Sequence, residues 1–276
     1  MSSLSAMIAR RVGASDPAAP SLVLLHGIYG RGRNWQAVAR ALAARRPDWA
    51  LWLADLRHHG EAPRGAAAGT LDALAADIET WGADSGVVPT AVLGHSYGGK
   101  VALAYAARHA GRRLQTWVID STPEARLPSG SAWDLLAIVR ALPTTFASRQ
   151  DAIAGIEAGG FSTDVAQWMA TNLSHESGSF RWQLDFDVME HLLDDFFRRS
   201  LWDVLDPGAP GHDVHVLKAS RSSVISGEAV ARLTRLSEPT DATRARVHLH
   251  VRDGGHWIHA ESPATVVDLL AEHLGG

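Results

Sequence analysis

The chain has 276 residues, long enough for one large domain with an inserted piece or for two ordinary domains. Hydrophobic residues make up 46% and charged residues 20%, which excludes a disordered or collagen-like chain. The formal net charge of -4 gives no electrostatic footprint for nucleic acid or an anionic membrane, and the lack of cysteine excludes disulfides, thiolate zinc sites and a cysteine nucleophile.

The segment from Met1 to Asp16 carries Arg10 and Arg11 and lacks the apolar run of a signal peptide. No stretch approaches the roughly 18 apolar residues that span a bilayer. A cytoplasmic protein is therefore expected. Short apolar runs at Ser21–Leu25, Ala50–Ala54, Thr90–Leu93, Thr116–Ile119, His215–Leu217 and Val247–Val251 have the length and branching of buried strands. Helical patterns separate several of them. Trp35, Val38, Ala39 and Leu42 share one face, as do Leu71, Leu74, Ala75 and Ile78 after Thr70 as N-cap, in a helix expected to stop near Gly82. The segment Gly65–Gly69 reads as a loop. Near the C-terminus Ser262 and Pro263 open a helix whose Val266, Leu269, Leu270 and Leu274 share a face. This alternation predicts a mostly parallel sheet covered on both sides by helices.

Between Thr122 and Asp206 no strand is predicted, and helical patterns follow one another. All six phenylalanines lie there, with Trp133, Trp168, Trp182 and Trp202, which makes 10 of the 19 aromatic residues of the chain. A helical cap with its own small core over an apolar cleft accounts for the enrichment. The expected division is a core of residues 1–121 and 207–276 and a cap of residues 122–206.

The strongest chemical signal is Gly94-His95-Ser96-Tyr97-Gly98-Gly99, between the strand ending at Leu93 and a helical run from Lys100 to His109. It is Gly-x-Ser-x-Gly in strand–turn–helix context, where a sharp turn strains the serine backbone and demands glycine two residues away on either side. Ser96 is thus the candidate nucleophile. His26-Gly27-Ile28-Tyr29-Gly30 follows the first buried strand, and a glycine loop there lets backbone N–H groups turn inward. The oxyanion hole is assigned to the N–H groups of Ile28 and Tyr97, with the His26 side chain read as structural. Among 14 histidines, His256 is selected by position, because it follows the last strand across a turn and emerges at the same sheet edge as Ser96. His248 and His250 share a strand face, but no third ligand stands near them in sequence, so no metal site and no cofactor are expected.

These residues carry a resemblance. From about Ser21 to its C-terminus the chain resembles the α/β-hydrolase superfamily, with the insertion standing where that superfamily carries its cap, after the strand counted sixth in the family. Asp55-Leu56-Arg57-His58-His59-Gly60, Phe180-Arg181-Trp182 and Gly255-His256-Trp257-Ile258-His259-Ala260-Glu261 resemble a branch of serine esterases. That branch contains small bacterial esterases and α/β-hydrolase domain-containing protein eleven. Lys100, which follows the double glycine, is read as a helix-surface or packing residue. In many superfamily members the triad acid follows the seventh strand, yet here Lys218 to Gly227 contains no carboxylate. Asp120, at the end of the strand Trp117-Val118-Ile119, is the expected acid, with Glu228 and Asp253 as the other carboxylates to weigh. The chain order is then serine, aspartate, histidine.

The resemblance implies a serine hydrolase of carboxylic esters with small to medium apolar acyl groups, acting on a small-molecule ester. Thioesterase, acyltransferase, perhydrolase and carbon–carbon bond hydrolase chemistry would use the same residues, and a ligand-binding protein with vestigial catalysis is the reading from another class. The expected pocket comprises Tyr29, His95 and Trp257, with Trp133, Phe146, Phe161, Trp168 and Trp182 as its roof.

Overall fold

The computed structural model describes residues 5–63, 69–205, 212–238 and 246–275. Of the loop read at Gly65–Gly69, only Gly69 falls within them, and the cap boundary at residues 206–207 lies outside the described residues. The core is a seven-stranded sheet. In chain order its strands are β1 (Ile8–Gly13), β2 (Ser21–Leu25), β3 (Ala50–Asp55), β4 (Ala91–His95), β5 (Leu114–Ile119), β9 (His212–Ala219) and β10 (Arg246–Arg252). In space they run β1-β3-β2-β4-β5-β9-β10, with β1 antiparallel to β3 and the other neighbours parallel. All six strands expected from the sequence are present.

β2 and β5 are buried along their whole length, as continuous apolar strands covered on both faces must be. Helices α1 (Gln36–Arg45) and α10 (Pro263–His273) share a core with one face through Trp35, Leu42, Leu93 and Leu270. Helices α2 (Leu71–Ser85), α3 (Tyr97–Arg108) and α8 (Gly227–Leu236) share the core of the other through Leu74, Ile78, Val101 and Leu233. Each large side chain buried in this way contributes roughly 1.5–3 kcal/mol. The Thr70 side chain accepts from the Ala73 N–H as expected, but α2 runs past Gly82 to Ser85 and ends on Gly86 in the left-handed conformation. Pro263 opens α10 as read, whereas the Ser262 side chain makes no capping hydrogen bond.

The segment between β5 and β9 carries helices α4 (Ser131–Ala141), α5 (Arg149–Ala158), α6 (Thr163–Ala170) and α7 (Phe186–Arg198). α7 buries Met189, Leu192, Leu193, Phe196 and Phe197, a 3.6-residue stripe, and the Asp185 side chain caps its first turn. One expectation needs correction. The segment also holds three short antiparallel strands, β6 (Thr145–Phe146), β7 (Leu173–Glu176) and β8 (Ser179–Trp182), so it is not purely helical. It follows β5, the strand that ends at Ile119. Finally, α9 (Ile258–Glu261) lies between β10 and α10. Lys100 is no surface residue: it is fully buried, and its Nζ donates to the carbonyls of Glu124 and Phe196 at 2.6 Å each, tying α3 to the inserted segment. Burial pulls its pKa down to about 7.

Candidate active site

The strand order reverses between β2 and β4, and a crevice at the carboxyl ends of parallel strands is where such sheets place their sites. Ser96 stands between β4 and α3 with φ 51 and ψ -117, a conformation that costs on the order of 1–3 kcal/mol for a non-glycine residue. Its surroundings enforce the turn. A Cβ on Gly94 would stand 1.9 Å from the Gly98 carbonyl oxygen, and one on Gly98 would stand 2.5 Å from that of His26. Only glycine fits at either position.

Asp120 directly follows β5 and is wholly buried. Its backbone N–H donates to Leu217 at 2.8 Å, Oδ1 accepts from the Ala219 N–H at 3.1 Å, and Oδ2 lies 2.7 Å from Nδ1 of His256. Because the carboxylate accepts, His256 carries its proton on Nδ1, which leaves the Nε2 lone pair as the basic nitrogen. Ser96 and His256 both line a cavity of about 60 Å³, together with Gly27, Ile28, Tyr29 and His95. The other two carboxylates stand elsewhere. Asp253 is exposed and paired with Arg221 at 2.5 Å, and Glu228 lies in the first turn of α8 beside Arg232 and Arg235 on a separate surface hollow.

The loop after β2 is held from two sides. The Gly30 N–H donates to the Gly27 carbonyl at 3.0 Å, and Tyr29 adopts φ 62. Nδ1 of His26 donates to the Gly27 carbonyl at 2.8 Å while its Nε2 accepts from the Leu56 N–H at 3.1 Å, which makes His26 a neutral scaffold residue. Burial lowers its pKa to about 4. Asp55 accepts from the N–H groups of Gly32 and Glu61, anchoring the Asp55–Gly60 turn beneath this loop. Among the described residues, neither the Ile28 nor the Tyr97 N–H has a backbone acceptor. From the insertion, Asn172 donates to the Tyr29 carbonyl at 2.8 Å, and the Tyr29 hydroxyl donates to the Ala132 carbonyl at 2.9 Å. Asn172 was not singled out from sequence, where a lone asparagine after a helix reads as a loop residue.

The expected roof divides. Phe161 and Trp168 line the cavity, and Trp168 meets Trp257 edge-on at 4.5 Å between centroids. Trp133, Phe146 and Trp182 do not: Phe146 and Trp182 pack together at 5.7 Å within the insertion, and Trp133 packs against Phe197 at 6.0 Å. Ser131, Ala132, Leu135 and Val165 complete the lining, small or aliphatic positions that carry no sequence signal.

No third ligand stands near His248 and His250 in sequence, but the neighbouring strand β9 brings donors beside them. Asp213, His215 and His248 present donor atoms within 4.8 Å of one another.

The alpha/beta hydrolase fold family model matches residues 20–263. The chain is 25% identical over 269 residues to the mouse protein called sn-1-specific diacylglycerol lipase ABHD11, covering 94% of this chain and 82% of that protein. It is likewise 25% identical over 261 residues to Esterase YbfF of Escherichia coli, covering 92% of each. A solved marine microorganism esterase superposes with a TM-score of 0.80 at 22% identity, over 99% of this chain and 100% of that one. With that match spanning most of its length, the chain belongs to the α/β-hydrolase family.

Proposed function

We propose that this protein is a serine hydrolase of carboxylic esters with small to medium apolar acyl groups. The observation that carries the reading is the 2.7 Å hydrogen bond between His256 and buried Asp120 at a cavity that Ser96 also lines. Relatives named as a lipase and an esterase along nearly the whole chain support ester cleavage.

In this mechanism Nε2 of His256 takes the Ser96 hydroxyl proton as Oγ attacks the acyl carbon. The N–H groups of Ile28 and Tyr97 receive the oxyanion, a role that fits their having no backbone acceptor among the described residues. His256 then gives its proton to the departing alcohol, and water repeats the cycle on the acyl-enzyme. Asp120 fixes the tautomer and stabilises the imidazolium, with its second oxygen already satisfied by the Ala219 N–H. The segment of residues 122–206 serves as a cap, since Ala132, Leu135, Phe161, Val165 and Trp168 close the cavity from that side.

The cavity is far smaller than the roughly 300–1,000 Å³ of drug-sized sites, which favours a short acyl group in this arrangement. A panel of acyl esters and thioesters of rising chain length, run on the wild type and Ser96→Ala, tests the proposal. Saturable ester hydrolysis that disappears in Ser96→Ala supports it. Thioester turnover far above ester turnover redirects it to a thioesterase, and absence of any acyl turnover or serine labelling refutes it.

A further inference from the structure

A second cluster of polar groups lies at the other end of the sheet. β9 and β10 are parallel with His248 beside His215, and Asp213 stands two residues before His215 on the same face. Asp213 lies about 20 Å along β9 from Ala219, the residue that contacts Asp120, at the strand rise of about 3.3 Å per residue. Nothing in the hydrolase mechanism uses this cluster.

Hydrogen bonds tie the cluster to Gln115, Trp117 and His250. Gln115 Oε1 accepts from two groups that can only donate, Trp117 Nε1–H at 3.1 Å and the Gly275 N–H at 3.2 Å. The amide orientation is thereby set, and Nε2 of Gln115 faces Nε2 of His215 at 3.3 Å. The same Gln115 nitrogen donates to the His273 carbonyl at 2.9 Å and to Oδ2 of Asp213 at 3.4 Å, and Nδ1 of His215 lies 3.0 Å from Nε2 of His250. Nε2 of His215 lies 3.5 Å from Oδ2 of Asp213. Oδ1 of Asp213 lies 2.9 Å from Nε2 of His248.

We propose that Asp213, His215 and His248 form a divalent transition-metal site of the zinc type. Two imidazoles and one carboxylate whose donor atoms lie within 4.8 Å of one another suit Zn²⁺. The metal takes the place of the hydrogen between His248 and Asp213, and the His248 proton moves to Nδ1. His250 orients the site from outside, accepting from His215 Nδ1–H in the way that metal-bound histidines are commonly held. Trp117 stacks on the His215 ring at 4.0 Å and floors it. Bound metal would cross-link β9 to the edge strand β10, whose far end leads into the His256 loop.

The test uses the full chain, stripped with chelator and freed of any affinity tag. Zn²⁺ is titrated in competition with a chromogenic chelator, and Co²⁺ separately by its visible absorption. One equivalent should bind, with intense four-coordinate Co²⁺ bands and a rise in Tm. His248→Ala and Asp213→Asn should each weaken binding about a hundredfold or more, and His250→Ala about 10–100-fold, with fluorophosphonate labelling of Ser96 unchanged as the folding control. His248 is 39% exposed, so its truncation leaves the core intact. A wild type that binds no equivalent of either metal tighter than about 10 µM overturns the proposal. So does affinity unchanged in both His248→Ala and Asp213→Asn, which would put the metal on other histidines.

Discussion

Nε2 of His95 lies 2.7 Å from the carbonyl oxygen of His256, so the residue preceding the elbow serine holds the backbone of the loop that carries the proposed base. His95 is buried, and burial with neighbouring His259 and His256 keeps its pKa well below the ordinary value. It is neutral and donates from Nε2. His95→Leu should lower kcat about tenfold while KM for a short ester changes little, since one positioning hydrogen bond is lost and the pocket wall is kept. Steady-state kinetics separate the two constants. An unchanged kcat would remove His95 from the positioning of His256.

Asp120→Asn probes the acid. Asp120 has φ 45, a conformation asparagine tolerates, and an amide oxygen can still accept from the Ala219 N–H. The fold should persist while turnover drops on the order of ten-thousandfold, as in the serine-protease example of the same exchange. Circular dichroism and kcat/KM on one preparation check this. Near-normal turnover, with Asp253→Asn or Glu228→Gln inactive, would move the acid to that residue.

The aromatic residues of the insertion should separate into two groups. Trp168→Ala and Phe161→Ala enlarge the cavity and should shift the preferred acyl chain upward, with kcat/KM for longer esters rising severalfold relative to acetate. Trp133→Ala, Phe146→Ala and Trp182→Ala should leave the preference in place and cost about 3–5 kcal/mol of stability where the ring is fully packed, less where it is half-buried. Ester panels and denaturant titrations distinguish these outcomes, and the reverse assignment would contradict the lining.

Stability should fall in acid. Burial depresses the pKa of His26 and His250 to about 4 and of His259 to about 3, and lowers those of His95 and His215. Between these values and the unfolded value near 6.5 the unfolded chain binds more protons than the folded one. The stabilisation is complete above about pH 6.5 and is lost as pH falls through the folded values, by up to about 1.4 kcal/mol per pH unit for each such group. Urea midpoints at pH 7.5, 6, 5 and 4.5 should decline steadily, with proton uptake on unfolding. A flat profile would contradict the neutral buried histidines.

The legible parts of the molecule were those where a single local demand dictates the residue. Gly94 and Gly98 announce the elbow because no side chain fits there, and the six parallel strands announce themselves as apolar runs, even edge strand β10, where only Val247 is buried. Asp120 and His256 lie 136 residues apart, yet each ends or follows a parallel strand, so strand direction alone brings them to one edge. β1 escaped because it is a half-exposed antiparallel edge strand carrying Arg10 and Arg11, and β6 to β8 because two to four residues leave no periodicity to detect. Which aromatics face the cavity depends on how the insertion packs, and Asp213 meets His248 only through the register of two strands. Neither is a local property.

In the proposed mechanism Ser96 becomes acylated and His256 activates it. Intact-mass spectrometry of the protein mixed with excess p-nitrophenyl acetate and quenched within the first turnovers tests it most directly, with peptide mapping to locate the adduct. An acetyl adduct on Ser96 is expected in the wild type and none in Ser96→Ala, with turnover in Ser96→Ala and His256→Ala each reduced on the order of a millionfold and little further loss when combined. Hydrolysis by Ser96→Ala at more than a few per cent of the wild-type rate, or an adduct at another residue, would contradict it.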